Sequence, residues 1–204
     1  MSENATRATD TSLRDRQRDL TRRLLIDAFA AVILRDGIHD FSMQAVADEA
    51  GCSLRTLYRY FPSREALLTG LDDEVRESTA STFDRLPPSA SEDLVQFAQL
   101  APVLMAERRE VIKAWAATNL GSDVRDFVSR HVRILVDEAI VRAAPSLSPS
   151  EHARAFAGIR LVVTSRSFLA LTDHMSAEDA AITIGWIVRM LLADLASGGG
   201  PRAE

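Results

Sequence analysis

Apolar residues recur at helical spacing along almost the whole chain. Leu24, Leu25, Ala28, Phe29, Val32 and Ile33 fall in pairs four residues apart, which predicts a long first helix over about 12 to 35 with one buried face. Gly37 is placed to end it. Ser42 then precedes MQAVADEA, where Val46 and Ala50 are four apart and Gly51 stops the run. Ser53 is the expected cap of LRTLYRYF, in which Leu57 and Phe61 point inward. Pro62 and Ser63 break that helix and start a longer one through Leu67, Leu71 and Val75 to about residue 85. The order is long, short, short, long.

The stretch LPPSASED then marks a loop and a domain boundary. Helical segments follow at about 91 to 107, 108 to 118, 122 to 144, 149 to 172 and 177 to 196. Ser148 to Glu151 reads as a capping box with Pro149 at the first helical position, and Ser176 to Asp179 as a weaker version. Pro102 is expected to kink or split the first of these segments. This makes about nine helices and an all-α fold. The expected organisation is a flexible arm over 1–12, a helix-turn-helix domain over 13–62, a connecting helix over 63–85, a ligand-binding and dimerisation domain over 86–196, and a disordered tail over 197–204.

Composition agrees with an all-α reading: 47% of the 204 residues are hydrophobic, and the 9 Gly and 7 Pro are too few for a β-sandwich with many turns. The opening MSENATRATDTS has no apolar signal segment, and no run of about 18 apolar residues lacks a charge, so a cytoplasmic protein with no membrane partner is expected. Cys52 is the single cysteine, which excludes an internal disulfide and a Cys-rich metal cage. His39, His131, His152 and His174 lie far apart, so neither a metal site nor a cofactor is expected. There is no G-x-S-x-G elbow, no phosphate-binding glycine loop and no H-E-x-x-H, so catalysis is not expected either.

Charge changes the picture. The formal net charge is -5, yet residues 1 to 70 hold ten arginines against ten acids, and the whole excess lies in residues 71 to 204, with fourteen basic against nineteen acidic side chains. Phosphates feel the local field within about 10 Å at ordinary salt, so global acidity does not exclude nucleic acid.

The two short helices carry the chemistry. A DNA-reading helix-turn-helix needs a small residue in its first helix, a glycine at the turn and inward apolar residues at fixed offsets in the second. Val46-Ala47 and Ala50-Gly51 meet the first requirements, and Cys52, Leu57 and Phe61 the last. With Leu57 and Phe61 buried, Ser53, Leu54, Arg55 and Thr56 face outward, followed one turn later by Tyr58 and Arg59. Arginine bonds guanine edges bidentately or pairs with phosphate, and tyrosine hydroxyls bond phosphates.

Residues 41 to 68, FSMQAVADEAGCSLRTLYRYFPSREALL, resemble the DNA-binding motif of the TetR family of bacterial transcriptional repressors, including the TLYRYFPS core. The resemblance implies that Ser42 caps the first short helix against a phosphate, that Gln44, Leu54, Arg55, Thr56 and Tyr58 face the groove, and that Tyr60 and Arg64 hold the DNA backbone. It also implies a homodimer. Arg64 stands where that family usually has lysine, and Arg55 where it often has a small residue.

The last helices are apolar on more than one side, which implies a partner surface. Val162, Arg166, Leu169, Ile182, Trp186 and Met190 are the candidate dimer residues, with Arg166 expected to pair with a carboxylate across the interface. Phe97, Met105, Trp115, Phe127 and His131 are candidates to line an effector pocket, and their character suits an apolar or aromatic small molecule. The function expected is a ligand-responsive repressor that binds double-stranded, pseudo-palindromic operator DNA as a homodimer and is released by a small effector. The alternative is a dimeric helical adaptor or sensor without specific DNA binding.

Overall fold

The structure is a computed structural model that describes residues 2 to 118 and 122 to 201, without the side chains of residues 2–12, 91–92 and 122–127. The described residues form eleven helices and no strand: α1 (Ser2–Asp36), α2 (Met43–Glu49), α3 (Leu54–Tyr60), α4 (Arg64–Arg85), α5 (Pro88–Glu92), α6 (Leu94–Ala106), α7 (Arg109–Ala116), α8 (Ser122–Ala143), α9 (Pro149–Val162), α10 (Ser165–Thr172) and α11 (Ala177–Ala196). Two compact units emerge: Met1–Glu77 with Glu110–Leu120, and Ser78–Arg109 with Gly121–Glu204. The division runs inside α4, upstream of the LPPSASED loop, and α7 returns the chain to the first unit.

The all-α expectation holds, but the nine expected helices become eleven. One addition is α5, a single turn inside LPPSASED that starts at Pro88, a residue already set for a first helical position. The other comes from a break at Val163 and Thr164. Val163 leaves the helical region at φ -89°, ψ 32°, and the Thr164 hydroxyl accepts from the Ser167 N–H to restart the chain as α10. Pro102 does not split α6, which continues through it to Ala106.

In the first unit, α2 and α3 have seven residues each, well below the roughly 12 to 15 that an isolated helix needs, so tertiary burial holds them. Val46, Ala47, Leu57 and Phe61 are buried with Leu25, Ile26 and Phe29 of α1 and with Leu67 and Leu71 of α4. Phe29 meets Phe41 edge to face, with ring centroids 4.7 Å apart. Gly51 (φ +63°) closes α2 in a Schellman arrangement: its N–H donates to the Asp48 carbonyl and the Cys52 N–H to the Ala47 carbonyl. From α7, the Trp115 indole N–H donates to Asp72 Oδ1 of α4 at 2.9 Å.

In the second unit, α6 and α11 pack closely where Gly185 lies against the Gln99 side chain. Ser148 and Glu151 form the expected capping box of α9, and Ser176 caps α11 through the Asp179 N–H. The chain expected to lack order beyond α11 is described as far as Pro201, whose carbonyl accepts from Arg154 Nε at 2.7 Å; residues 202–204 lie outside the described residues.

A Cβ at Gly70 would sit 2.5 Å from Phe61 Cε1 and 3.0 Å from Ile26 Cδ1. Gly70→Ala is therefore expected to overpack the first unit and cost about 1–3 kcal/mol, read as a lower denaturation midpoint with unchanged helix content at low temperature.

Candidate nucleic-acid interface

The reading head is built from its caps inward. Ser42 Oγ accepts from the Ala45 N–H at 3.0 Å and Ser53 Oγ from the Thr56 N–H at 3.1 Å, so each short helix starts on a side-chain cap. Leu57 is fully buried and Phe61 nearly so, which turns the opposite side of α3 outward. Ser53, Arg55, Tyr58 and Arg59 are exposed there, with Leu54, Thr56 and Tyr60 half-buried. Arg55 and Tyr58 make no hydrogen bond or ion pair with the described residues, so their polar groups are available to a partner. The half-buried Cys52 thiol lies at the turn.

Other predicted contacts are already engaged. Gln44 Nε2 donates to Asp48 Oδ1 at 2.7 Å along α2, and the Thr56 hydroxyl bonds Ser53 Oγ at 2.9 Å. Arg64 is the larger departure: its guanidinium donates to the Phe41 carbonyl and, at 3.2 Å, to the His39 carbonyl, and lies 3.8 Å from the centre of the Phe41 ring. It ties the start of α4 to the loop before α2. Sequence spacing could not reveal this, because the bond spans 23 residues. Arg59 lies 5.2 Å from the Tyr60 ring, and both line a groove with Arg14, Gln17, Arg18 and Thr21 of α1, four residues for which the sequence suggested no role.

The sequence model described as "Bacterial regulatory proteins, tetR family" matches residues 25–71, which contain this whole head. The chain is also 30% identical to the HTH-type transcriptional repressor KstR of Mycobacterium tuberculosis across 190 residues, covering 87% of this chain and 83% of the relative. The chain belongs to the TetR family. The KstR of Rhodococcus jostii is 28% identical over 183 residues, covering 85% of this chain and 83% of that protein. The crystal structure of the TetR family transcriptional regulator PfmR from Thermus thermophilus shares the fold, with a TM-score of 0.61 at 14% identity over 87% of this chain and 99% of that one.

The remaining candidates of this TetR-family chain are distributed as follows. Phe97 is buried, Met105 and His131 are half-buried, and all three belong to the second unit. Phe97 and His131 are joined by Phe83, which sequence inspection passed over: Phe83 stacks 6.0 Å from Phe97 and meets His131 edge-on at 4.6 Å. Trp115 belongs to the first unit, and Phe127 lies outside the described side chains. On α11, Ile182, Trp186 and Met190 are 61%, 58% and 49% exposed, while Ile184 and Val188 are buried, so this helix has two apolar faces. Val162 is half-buried, and Leu169 is buried in its own unit and therefore not on the exposed face. Arg166 is exposed on α10 and pairs with no carboxylate among the described residues of its own chain. Among the described residues no cluster of His, Cys, Asp or Glu is suited to a metal ion, and no single helix is long and apolar enough to cross a membrane.

Two outcomes are expected. Arg64→Ala removes two hydrogen bonds to carbonyls and a ring contact at a partly exposed site, so it should lower stability by about 1 kcal/mol and loosen the loop before α2, measured by hydrogen exchange at residues 39–43. His131 Nε2 is buried with no hydrogen-bond partner among the described residues, and burial lowers the imidazole pKa below its ordinary value of 6.5. Above about pH 6.5 both folded and unfolded states hold it neutral; as pH falls below that, the unfolded state takes the proton first and stability drops. His131→Gln should flatten that slope, and a denaturation series between pH 7.5 and pH 5, set around that ordinary value, compares it with the parent.

Proposed function

We propose that this chain is a ligand-responsive transcriptional repressor that binds a pseudo-palindromic operator as a homodimer and is released by a small, mostly apolar effector. The observation that carries the reading is the outward row Arg55, Tyr58 and Arg59 on α3, held by buried Leu57 and a capped turn, in a TetR-family chain whose relatives are named HTH-type transcriptional repressors. Bidentate arginine to guanine discriminates one base pair by about 1–3 kcal/mol, whereas phosphate contacts set register and salt dependence. A cytoplasmic location follows from that role.

The stripe Ile182, Trp186 and Met190 supports the dimer. Three large apolar side chains spaced i, i+4, i+8 form one continuous face of α11, and an isologous pairing covers it on both copies at once. Two-fold pairing in turn matches two half-sites about 34 Å apart. The effector is assigned to the second unit, beside Phe97, Met105 and His131. The helix α4 continues unbroken from Arg64 in one unit to Arg85 in the other, so a ligand that displaces its second half displaces the base of the reading head. Linkage then requires operator DNA to weaken effector binding by the same factor, typically about 5- to 150-fold.

The test is a gel shift with duplexes selected by the full chain from a random-sequence pool. The expected result is a pseudo-palindromic site, bound by a dimer. A folded, dimeric chain with no duplex preference would overturn this reading and favour the helical adaptor. Arg55→Ala should relax preference at one base position per half-site at a cost of about 1–3 kcal/mol. Trp186→Asp should give a monomer by sedimentation and lose operator affinity, since a carboxylate buried at a dimer seam has no compensating partner.

A further inference from the structure

Residues 13 to 20 of α1 cover no core. They are all exposed, leucines included, and continuous burial along this helix begins at Leu25, where the family match also begins. A helical stretch exposed all round gains little from packing, so its composition has to be explained by something else. That composition is basic: Arg14, Arg16 and Arg18 within five residues.

Arg14, Gln17, Arg18 and Thr21 are spaced i, i+3, i+4, i+7 and share one face. Asp15 and Asp19 lie roughly 100° or more around the helix from the centre of that face, so among the described side chains it carries cations and neutral groups only. The face borders the C-terminal turn of α3, and with Arg59 and Tyr60 it encloses a groove of about 440 Å³. The next arginines of α1 are used differently. Arg22 pairs with Asp73 at 3.5 Å and Arg23 with Glu77 at 3.2 Å, both on α4. Arg18 and Arg59 pair with no carboxylate among the described residues, and the Tyr60 ring holds the Arg59 guanidinium at the wall of the groove.

Arginine donors, a phenol and an amide around one groove suit a singly charged anion with several acceptor oxygens, which describes a phosphodiester. The groove adjoins the helix that reads bases, so the nearest phosphodiesters are those of the same duplex. We propose that the Arg14–Thr21 stretch of α1 and the C-terminal turn of α3 form a phosphate-binding groove that grips the DNA backbone beside each half-site, with Arg14 and Arg18 as its added contacts. This rests on the operator-binding reading of α3. It adds affinity and registration without adding base preference.

The experiment titrates the full chain and its R14A/R18A variant with two fluorescent duplexes, the pool-selected site and a scrambled version, across a series of salt concentrations. Each phosphate neutralised contributes about 0.9 to the slope of log affinity against log salt, so the double variant should lose roughly 2 per half-site on both duplexes. The ratio of affinities for selected and scrambled DNA should be unchanged, whereas Arg55→Ala changes that ratio. Arg18→Gln alone, milder at an exposed helical position, should lose about 0.9 per half-site. An unchanged slope in the double variant overturns the groove. A parent chain that does not distinguish the two duplexes overturns the repressor reading instead, because the slopes are measured on the scrambled duplex as well. Phosphate ethylation interference should lose the flanking phosphates in the variant; interference identical to the parent also overturns the proposal.

Discussion

The seat of the Phe61 ring on Gly70 is the contact on which the reading head depends. A side chain at residue 70 would occupy the space of the ring, so the seat on α4 of Phe61, the residue that closes α3, requires glycine there. With Phe61 and Leu57 buried, α3 has no freedom to rotate about its axis, and the outward direction of Arg55 and Tyr58 is a consequence of what lies beneath them. Short helices cannot achieve this by propensity. Seven residues form too few internal hydrogen bonds to offset nucleation, so orientation and existence come from the same few buried side chains.

Around that seat, the surrounding arginines divide into two kinds. Arg64, Arg22 and Arg23 hold elements of the first unit together, Arg64 through carbonyls of the loop before α2 and the other two through carboxylates of α4. Arg18, Arg55 and Arg59 have no such duty among the described residues. The first seventy residues are neutral by count, yet Arg18, Arg55 and Arg59, which pair with no carboxylate among the described residues, lie on α3 and on the α1 face beside it. Local field at a phosphate depends on that distribution rather than on the sum.

The helix α11 shows a similar division in apolar form. Its Ile184 and Val188 are buried in its own unit, against a neighbour close enough that Gly185 touches Gln99, while Ile182, Trp186 and Met190 remain outside. Close approach on one face and large exposed side chains on the other are separate properties of one helix. The first makes the second unit a body in its own right. The second leaves that body with surface that water solvates poorly.

Much of this was determined by sequence alone, because it rests on local chemistry. Helical periodicity, the Ser42, Ser53, Ser148 and Ser176 caps and the Gly37 and Gly51 stops each act within about one turn of chain, and all are present in the structure. The inward pair Leu57 and Phe61, and hence the outward side of α3, follows from spacing in the same way. What only the tertiary structure decided depends on residues distant in sequence. Leu169 is buried within its own unit while Arg166 is exposed, because the chain breaks at Val163 and α10 starts afresh with its own phase. Arg64 ties down carbonyls 23 and 25 residues away, and Arg18 comes to line one groove with Tyr60 only when the helices of the first unit are assembled. Periodicity says which residues share a face of one helix, but which neighbour covers that face is settled only when the helices pack together.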